Sequence, residues 1–504
     1  MYKLCIDIGT TSVKTVLFGD RLTVVSEAFR EYKASVRDGV FAEQSAWDWW
    51  DYAAQCIREV IARSGIDPKE IKAVGVSGQT PSMLPLDSEG KPLRSAIIWL
   101  DRRASLEAEY LRGTIGEERL SRIGGKRMDS YHVPPKILWY QKNCPDLAQK
   151  TAMYIQAAGY INFRLTGVCS CNRSDAAVSF LYDLNEGTWS NEILDAIHIL
   201  KEQLPPIFDG DAVIGTVSRT AAEETGLAVG TPVIAGYVDA SAASLEAGNL
   251  PEGTALEATG TASTLRMAFR TIQYSPYLST NVGLRPGTSS LFGEMSCTGA
   301  SMRWLRDVLR AGENSRLSYG DMSRMVAEQA PDPTNILFLP YLSGERSPVW
   351  DADARGVFIG VDLSTEAAHL IRAVMEGTSF ALRSNLEMAE KAGVKIRKIR
   401  SVGGCTRSDI WLKIKASVIN LPIEIPDVSI GAPAGIAMLT AACTGEFASV
   451  EKAMESCVRV KKTVYPDPEW AAYYDKMYPL FLRLYTQNRT MFSDLAKIKY
   501  EKGE

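Results

Sequence analysis

Residues 3–14 read KLCIDIGTTSVK, and the fold turns on how that stretch is read. The apolar run 4–8 predicts a buried strand with one carboxylate, Asp7, near its end. Gly9 permits a sharp turn. Thr10, Thr11 and Ser12 bring hydroxyls and backbone N–H groups to the tip. The run 13–18 predicts the returning strand and carries Lys14. A donor-rich tip with an acid beneath it can cradle phosphates and hold a divalent cation. Many strand–turn–strand units look alike, so the stretch gains weight only because the chain writes it twice.

Taken in order, Ser45 reads as the N-cap of a helix over 46–63. Trp49, Ala53, Cys56, Ile57, Val60 and Ile61 recur at helical spacing on its buried face. A strand over 71–76 ends in Ser77, Gly78 and Gln79. Another, over 96–100, ends in Asp101, Arg102 and Arg103. Polar residues past strand ends are where open α/β sheets bind ligands. A strand over 233–238 ends in Asp239 and leads into a small-residue helix over 240–247, which Asp239 could also cap. Residues 255–265, ALEATGTASTL, then return to the opening. Gly260, Thr261 and Ser263 repeat the spacing of Gly9, Thr10 and Ser12. A long helix over 367–391 follows, then a strand over 399–402 running into Gly403 and Gly404. Its IRSVGG lines up with the IKAVGV of 71–76. Two such units in one order imply two similar α/β domains facing each other, 1–248 and 249–504. The boundary is expected near residues 248–253, and the last helical segment is free to pack back on the first domain.

The totals agree. A chain of 504 residues exceeds what one core supports. With 46% hydrophobic and 23% charged residues it reads as an ordinary soluble globular protein. Net charge of −4 argues against a bulk nucleic-acid binder and leaves small phosphorylated ligands open. No apolar run is long enough for a bilayer, and Met1 leads straight into the first strand, so a cytoplasmic protein is expected. Nine cysteines without a framework fit reduced thiols. His132, His198 and His369 are too few for a histidine-rich metal site, and Cys169 and Cys171 lack zinc spacing.

Longer motifs then point to a family. FLPYLSGERSP occupies 338–348, and Gly356, Phe358, Gly360, His369, Leu370 and Glu376 follow at fixed offsets. Tyr131, Lys136 and Trp139 form a third signature, with Val133 where a small polar residue or proline is usual. On these motifs the chain resembles the FGGY family of carbohydrate kinases over nearly its whole length. TGASMRWLRD at 298–307 looks like the corresponding segment of glycerol kinases. Glu43-Gln44, Trp49-Trp50, Gly78-Gln79, the W-x-D-x-R of 99–103 and SDAA at 174–177 look most like xylulokinases.

The resemblance implies an α/β fold of two actin-like, ribonuclease-H-like ATPase domains with an interdomain cleft. It also implies ATP- and magnesium-dependent phosphorylation of a primary hydroxyl on a ketopentose or related polyol. The partner is then a small sugar, with no nucleic acid and no membrane; a homodimer is left open. Another pentulose, an alditol or an aldonate is the alternative substrate. A nucleotide-gated binding or assembly ATPase is the alternative use of the fold.

Phosphoryl transfer needs a polyphosphate cradle, a cation and a base near the accepting hydroxyl. Residue by residue, the resemblance makes Asp239 the base, and Asp7 with Asp239 the magnesium carboxylates, through water. Gly9, Thr10, Thr11, Ser12 and Lys14 form one side of the ATP cradle, Gly260 and Thr261 the other. Lys14 replaces an arginine common in glycerol kinases and loses bidentate geometry. Gly299, Arg303, Gly403, Gly404 and Ser408 match nucleotide contacts, with Cys405 where a third glycine is frequent. Trp411 reads as core, and Gly431 and Gly435 around Pro433 as close packing. Gln79, Thr80, Pro81, Asp101, Arg103, Asp239 and Ala240 are the sugar-site positions. There the chain departs from pattern: Thr80 and Pro81 stand where xylulokinases usually have Met-His, and Ala240 where Asn or Gln often follows the aspartate. Either the sugar differs, or Asp101, Arg103 and Asp175 compensate; the alternative for these three is surface salt bridges.

Overall fold

The opening stretch folds as its pattern requires. Tyr2–Ile8 (β1) and Ser12–Phe18 (β2) pair antiparallel, with Asp7 opposite Lys14. Leu4, Cys5, Ile6 and Ile8 are fully buried, since both faces of the sheet are covered. The structure is a computed structural model and describes residues 1–248, 253–309, 317–428 and 430–501. Val24–Glu31 (β3), Ile71–Gly78 (β4), Val213–Thr216 (β5), Pro232–Ile234 (β6) and Tyr237–Val238 (β7) complete the first sheet. Its order is β5-β6-β4-β1-β2-β3, with β7 also on β4.

The second sheet holds Thr254–Thr259 (β8), Ser263–Phe269 (β9), Ser279–Val282 (β10), Ser289–Met295 (β11), Lys398–Gly403 (β12), Ile423–Pro426 (β13) and Val460–Val464 (β14). Its order is β10-β11-β9-β8-β12-β13-β14. In both sheets a hairpin is flanked by a parallel strand, β4 on β1 and β12 on β8. The two halves therefore share topology as well as motif.

Register changes how the halves superpose. Ile8, just before Gly9, pairs with Gly78; Thr259, just before Gly260, pairs with Gly403. Gly403 thus corresponds to Gly78, three residues beyond the Gly75 that the IRSVGG string suggests. The tips differ too. Ile8 faces Val13, but Thr259 faces Ser263, so the second tip is one residue shorter and Ser263 lies in its strand. The strand expected over 233–238 breaks into β6 and β7 at Gly236. That residue has φ +80°, and a Cβ there would lie 1.8 Å from the Val76 carbonyl oxygen. Of the strand expected over 96–100, only Ala96–Ile97 pairs.

Seven helices matter below: Ala46–Ser64 (α1), Asp239–Glu246 (α2), Gly299–Leu309 (α3), Ala367–Lys391 (α4), Asp409–Ile419 (α5), Ala432–Cys443 (α6) and Pro468–Glu501 (α7). Ser45 caps α1 by accepting from the Asp48 N–H at 3.3 Å, and Gly65 ends it at φ +67°. Among the described residues no helix is long and apolar enough to cross a membrane.

The expected link at 248–253 lies mostly outside the described residues. The final helix, α7, does not return to the first sheet. Trp470, Tyr474, Tyr478 and Phe481 join the core of the second half, because their rings need the broad apolar face of α4. The segment that returns is α6. Its Ile436, Met438 and Leu439 pack with Cys5, Val16 and Phe18 of β1 and β2. Small residues make this possible: Gly75 has room only for hydrogen beneath Ile436, and a Cβ on Gly435 would lie 1.9 Å from the Ala242 carbonyl oxygen of α2. Gly435→Ala is therefore expected to cost about 1–3 kcal/mol through overpacking. Gly404→Ala, where a Cβ meets nothing within 4 Å, should leave stability unchanged. Urea unfolding of both variants checks this, and equal midpoints would refute it.

Candidate active site

The first tip is held from beneath. The Gly9 N–H donates to the Ser12 carbonyl at 2.9 Å, and the Tyr32 N–H to the Thr11 carbonyl at 2.9 Å. The Tyr32 hydroxyl takes the Gly9 carbonyl, and the Gln44 amide takes that of Thr10 at 2.6 Å. With its four carbonyls engaged, what the tip offers a ligand is donor character. The Trp99 indole donates to the Thr10 hydroxyl oxygen at 3.0 Å. Gln79 is buried and donates to Gln44, so it braces the tip from inside. Lys14 is engaged by Glu27 at 3.0 Å, beside the tip.

The second tip rests on the start of α3. The Gly299 and Ala300 N–H groups donate to the Gly260 and Thr261 carbonyls at 3.2 and 2.9 Å. A Cβ on Gly299 would lie 2.2 Å from the Gly260 oxygen. Arg303 reaches the Thr261 hydroxyl oxygen at 3.1 Å. Gly403 has φ +96°, and a Cβ there would meet the Thr259 oxygen at 2.1 Å. Gly404 stands open. Ser408 caps α5 and accepts from the Ser323 hydroxyl at 2.8 Å. Cys405 turns inward, its thiol 3.1 Å from the Thr259 hydroxyl and 3.3 Å from the Lys415 ammonium. Lys415 pairs with Glu257 at 2.6 Å, both fully buried. The cysteine in place of a third glycine thus belongs to the interior, as does Trp411.

Where the first sheet ends, Asp239 lies within electrostatic reach of two other carboxylates, Asp7 and Asp175. Asp239 opens α2 and accepts its neighbour Ala240's N–H at 2.5 Å; Val238, not Asp239, is the capping position. Burial first, and then the charge of Asp7, push its carboxyl up to about 7, while Arg266 opposes. Burial also raises Asp7, against the Ser77 hydroxyl at 2.7 Å and the charge of Lys14. Asp175, at the start of the helix Arg173–Ser179, is pushed up to about 7 by burial. The Thr80 hydroxyl and Asn172 hold it down, and Asp239 adds to the rise.

Thr80 donates to the Gln156 carbonyl oxygen at 2.7 Å. Lys136, buried and lowered to about 7 by that burial, donates to the carbonyls of Pro81 and Ile98 at 3.3 and 2.9 Å. Asp101 and Arg103 are not surface salt bridges. Arg103 clasps Asp101 with its Nη2 at 2.7 Å and reaches Glu43 at 2.7 Å, between the rings of Phe41 and Trp139. Asp101 also takes the Ala42 N–H at 2.6 Å. Asp101 and Arg103 are thus each other's principal partners.

Two features escaped sequence reading. Arg266 of β9 crosses between the halves to the Ser241 hydroxyl at 2.8 Å and faces Asp239. A cavity of about 810 Å³ opens between Trp99, Arg102 and Tyr131 of the first half and Glu294, Arg346 and Trp350 of the second. Arg346, from the FLPYLSGERSP segment, pairs with Glu294 at 2.8 Å. Neither a hairpin motif nor an apolar period signals a contact made across two sheets.

The donor set fits magnesium. Asp7 and Asp239 offer only oxygen and repel each other electrostatically, a conflict that a cation relieves. Among the described residues no group of three or more His, Cys, Asp or Glu forms a metal cage.

The Lys415–Glu257 pair sits directly under the second tip. Lys415→Met should leave Glu257 buried without its cation and cost about 3–5 kcal/mol. Denaturant titration tests this, and a loss below about 1 kcal/mol would mean that Ser401 and Thr259 suffice to satisfy Glu257.

Residues 2–245 match the N-terminal domain of the FGGY family of carbohydrate kinases, and residues 258–443 its C-terminal domain. The chain is 28% identical over 501 residues to the xylulose kinase of Bacillus subtilis (strain 168), covering 99% of each. It is similar to the crystal structure of xylulose kinase from Rhodospirillum rubrum, with TM-score 0.92 and 29% identity over 98% of this chain and 100% of that one. Gluconate kinase from Lactobacillus acidophilus is similar at TM-score 0.89 and 25% identity, over 98% and 99%. With both domains matched and the actin-like two-domain fold in place, the chain belongs to the FGGY family of carbohydrate kinases and is a sugar kinase.

Proposed function

We propose that this kinase transfers the γ-phosphoryl group of ATP, with magnesium, to a primary hydroxyl of a ketopentose, D-xylulose giving D-xylulose 5-phosphate. The observation that carries the reading is Asp239. It is a half-buried carboxylate at the end of the first sheet, within electrostatic reach of Asp7 and of Arg266 from the other half. Full-length relatives named as xylulose kinases support the choice of sugar.

In this reading Thr10, Thr11, Ser12 and Lys14 of one tip and Gly260 and Thr261 of the other hold the polyphosphate by hydrogen bonds and charge. Gly403 and Gly404 admit the nucleoside, with Gly299, Arg303 and Ser408 around it. Asp239 orients the sugar's primary hydroxyl and takes its proton as the oxygen attacks in line. Magnesium, held by Asp7 and Asp239 through water, would supply charge neutralisation for the phosphates.

A second reading, another pentulose, an alditol or an aldonate, is favoured by the Thr80-Pro81 and Ala240 departures. D-Xylulose should therefore be used, but with a KM above low micromolar. A coupled ADP-release screen across pentuloses, alditols and aldonates tests this; low-micromolar saturation by D-xylulose would show that the departures are fully compensated (roughly the tight end of ordinary KM values).

Asp239→Asn is nearly isosteric, and Asp239 supplies no side-chain cap to α2, so the variant should fold. It cannot accept a proton. The turnover number should fall about 10²–10⁴-fold, with sugar affinity changed less. A folded variant keeping more than about a tenth of kcat would move the base elsewhere in the cleft.

A further inference from the structure

Asp175 is 2% exposed, yet half of its carboxylate is unemployed. Oδ2 takes the Asn172 amide at 2.8 Å, while Oδ1 makes no hydrogen bond. Thr80 lies close enough to lower the Asp175 carboxyl, but it is not placed to bond Oδ1. Thr80 has a single hydroxyl proton and gives it to Gln156 at 2.7 Å. Gln156 cannot turn its amide around, because its Nε2 donates to the Asp175 carbonyl at 2.9 Å and its Oε1 also takes the Ser82 N–H at 3.2 Å. The local donors are therefore used up, and Oδ1 is left over.

The position of this oxygen matters. The residues just before the two carboxylates are joined: the Val238 N–H donates to the Ser174 hydroxyl oxygen at 3.0 Å. Asp175 and Asp239 thus leave one hydrogen-bonded junction side by side, and Asp175 feels the charge of Asp239. A buried polar atom without a partner is rare in folded proteins and calls for an explanation.

We propose that Asp175 is a specificity-determining residue of the sugar site, its free Oδ1 pairing with a hydroxyl of a neutral polyol and discriminating against aldonates. The inference rests on the sugar-kinase reading above and names the class of substrate. A hydroxyl both donates and accepts, so it satisfies Oδ1 whether or not the carboxyl carries a proton. An aldonate carboxylate would add a further negative charge to Asp7, Asp175 and Asp239. Facing these three, Arg266 and Lys14 are the nearby cations, and Lys14 is already engaged by Glu27. Thr80 and Pro81 do not replace the usual Met-His pair themselves. Thr80 fixes Gln156, and the recognising group is the acid behind it.

The test uses the full-length protein in a coupled ADP-release assay with D-xylulose, L-xylulose, xylitol and D-gluconate. Wild type should prefer one of the neutral compounds. Asp175→Asn should raise the KM for that compound roughly 10–100-fold, the range spanned by a hydrogen bond to a charged group. Its kcat should stay within about threefold and its KM for ATP within about twofold, since a merely structural defect would move all three. Asp175→Glu, which restores the carboxylate charge, should recover part of the sugar KM. Preference for a neutral compound other than D-xylulose, with the same variant behaviour, would overturn the xylulose reading and uphold Asp175. Unchanged sugar KM in both variants would overturn the role of Asp175 and leave the kinase reading standing. A wild type that turns over only D-gluconate would overturn both. Should Asp175→Asn fail to fold, the wild-type ratio of kcat/KM for neutral compounds over D-gluconate still decides, and a ratio below one refutes the proposal.

Discussion

The crossing of α2 and α6 is the constraint on which the rest depends. At Gly435 the helices approach so closely that a methyl group would lie 1.9 Å from a backbone oxygen. Helix α2 carries Asp239 at its first residue, and α6 comes from the second half of the chain. The same pair is pinned at its other end, where Glu246 of α2 accepts the Ile430 and Gly431 N–H groups at 3.0 and 2.8 Å. Asp239 is thus located with respect to both halves at once. The close approach removes water from around α2, and burial is the first cause of the raised carboxyl. The contact that holds the halves together thus also sets where α2, with Asp239 at its start, stands.

The two hairpins show how one element serves two ends. Each has a glycine at its tip, a parallel strand beside it and a helix in support. The first is tied from beneath by Tyr32, Gln44 and Trp99. The second is tied by the start of α3 and by Arg303. In both, the chain spends tip carbonyls on internal bonds. A loop so constrained loses little further entropy when a ligand arrives, which is the physical content of preorganisation.

Much of this was legible in the sequence, because it rests on local rules. The apolar runs flanking Gly9 and Gly260, the Ser45 cap, and the 25-residue periodicity of α4 each follow from periodicity or turn chemistry. The duplication could be read from spacing, but its register could not. Matching strings put Gly403 on Gly75, whereas hydrogen bonding puts it on Gly78, since β4 runs three residues further before its strand ends. The break at Gly236 was hidden for a similar reason: it is forced by the Val76 backbone, which is remote in sequence. At the site, Asp7 and Asp239 stood out as acids at strand ends. Asp101 and Arg103 stood out equally and proved to be each other's partners, because sequence shows charge and not who neutralises it. Arg266 was invisible for the opposite reason. An arginine in the middle of a strand reads as surface until the facing domain is in place.

The duplication is most informative where its copies differ. Each half sets an acid on the strand leading to its tip, Asp7, half-buried, in β1 and Glu257, buried, in β8. Counted back from the tip glycines, Asp7 sits at the second residue and Glu257 at the third. Successive strand residues point to opposite faces, so the two acids lie on opposite sides of equivalent sheets. Glu257 is met by Lys415, Ser401 and Thr259, which leaves it no capacity for a ligand. Asp7 has only the Ser77 hydroxyl and a lysine shared with Glu27. One acid is fully neutralised and can only support; the other is left in deficit beside Asp239. A half-buried, unmatched charge of this kind is relieved when a cation or a proton comes beside it. In the function we propose, the half that leaves its acid unsatisfied carries the chemistry, and the half that satisfies it holds the nucleotide.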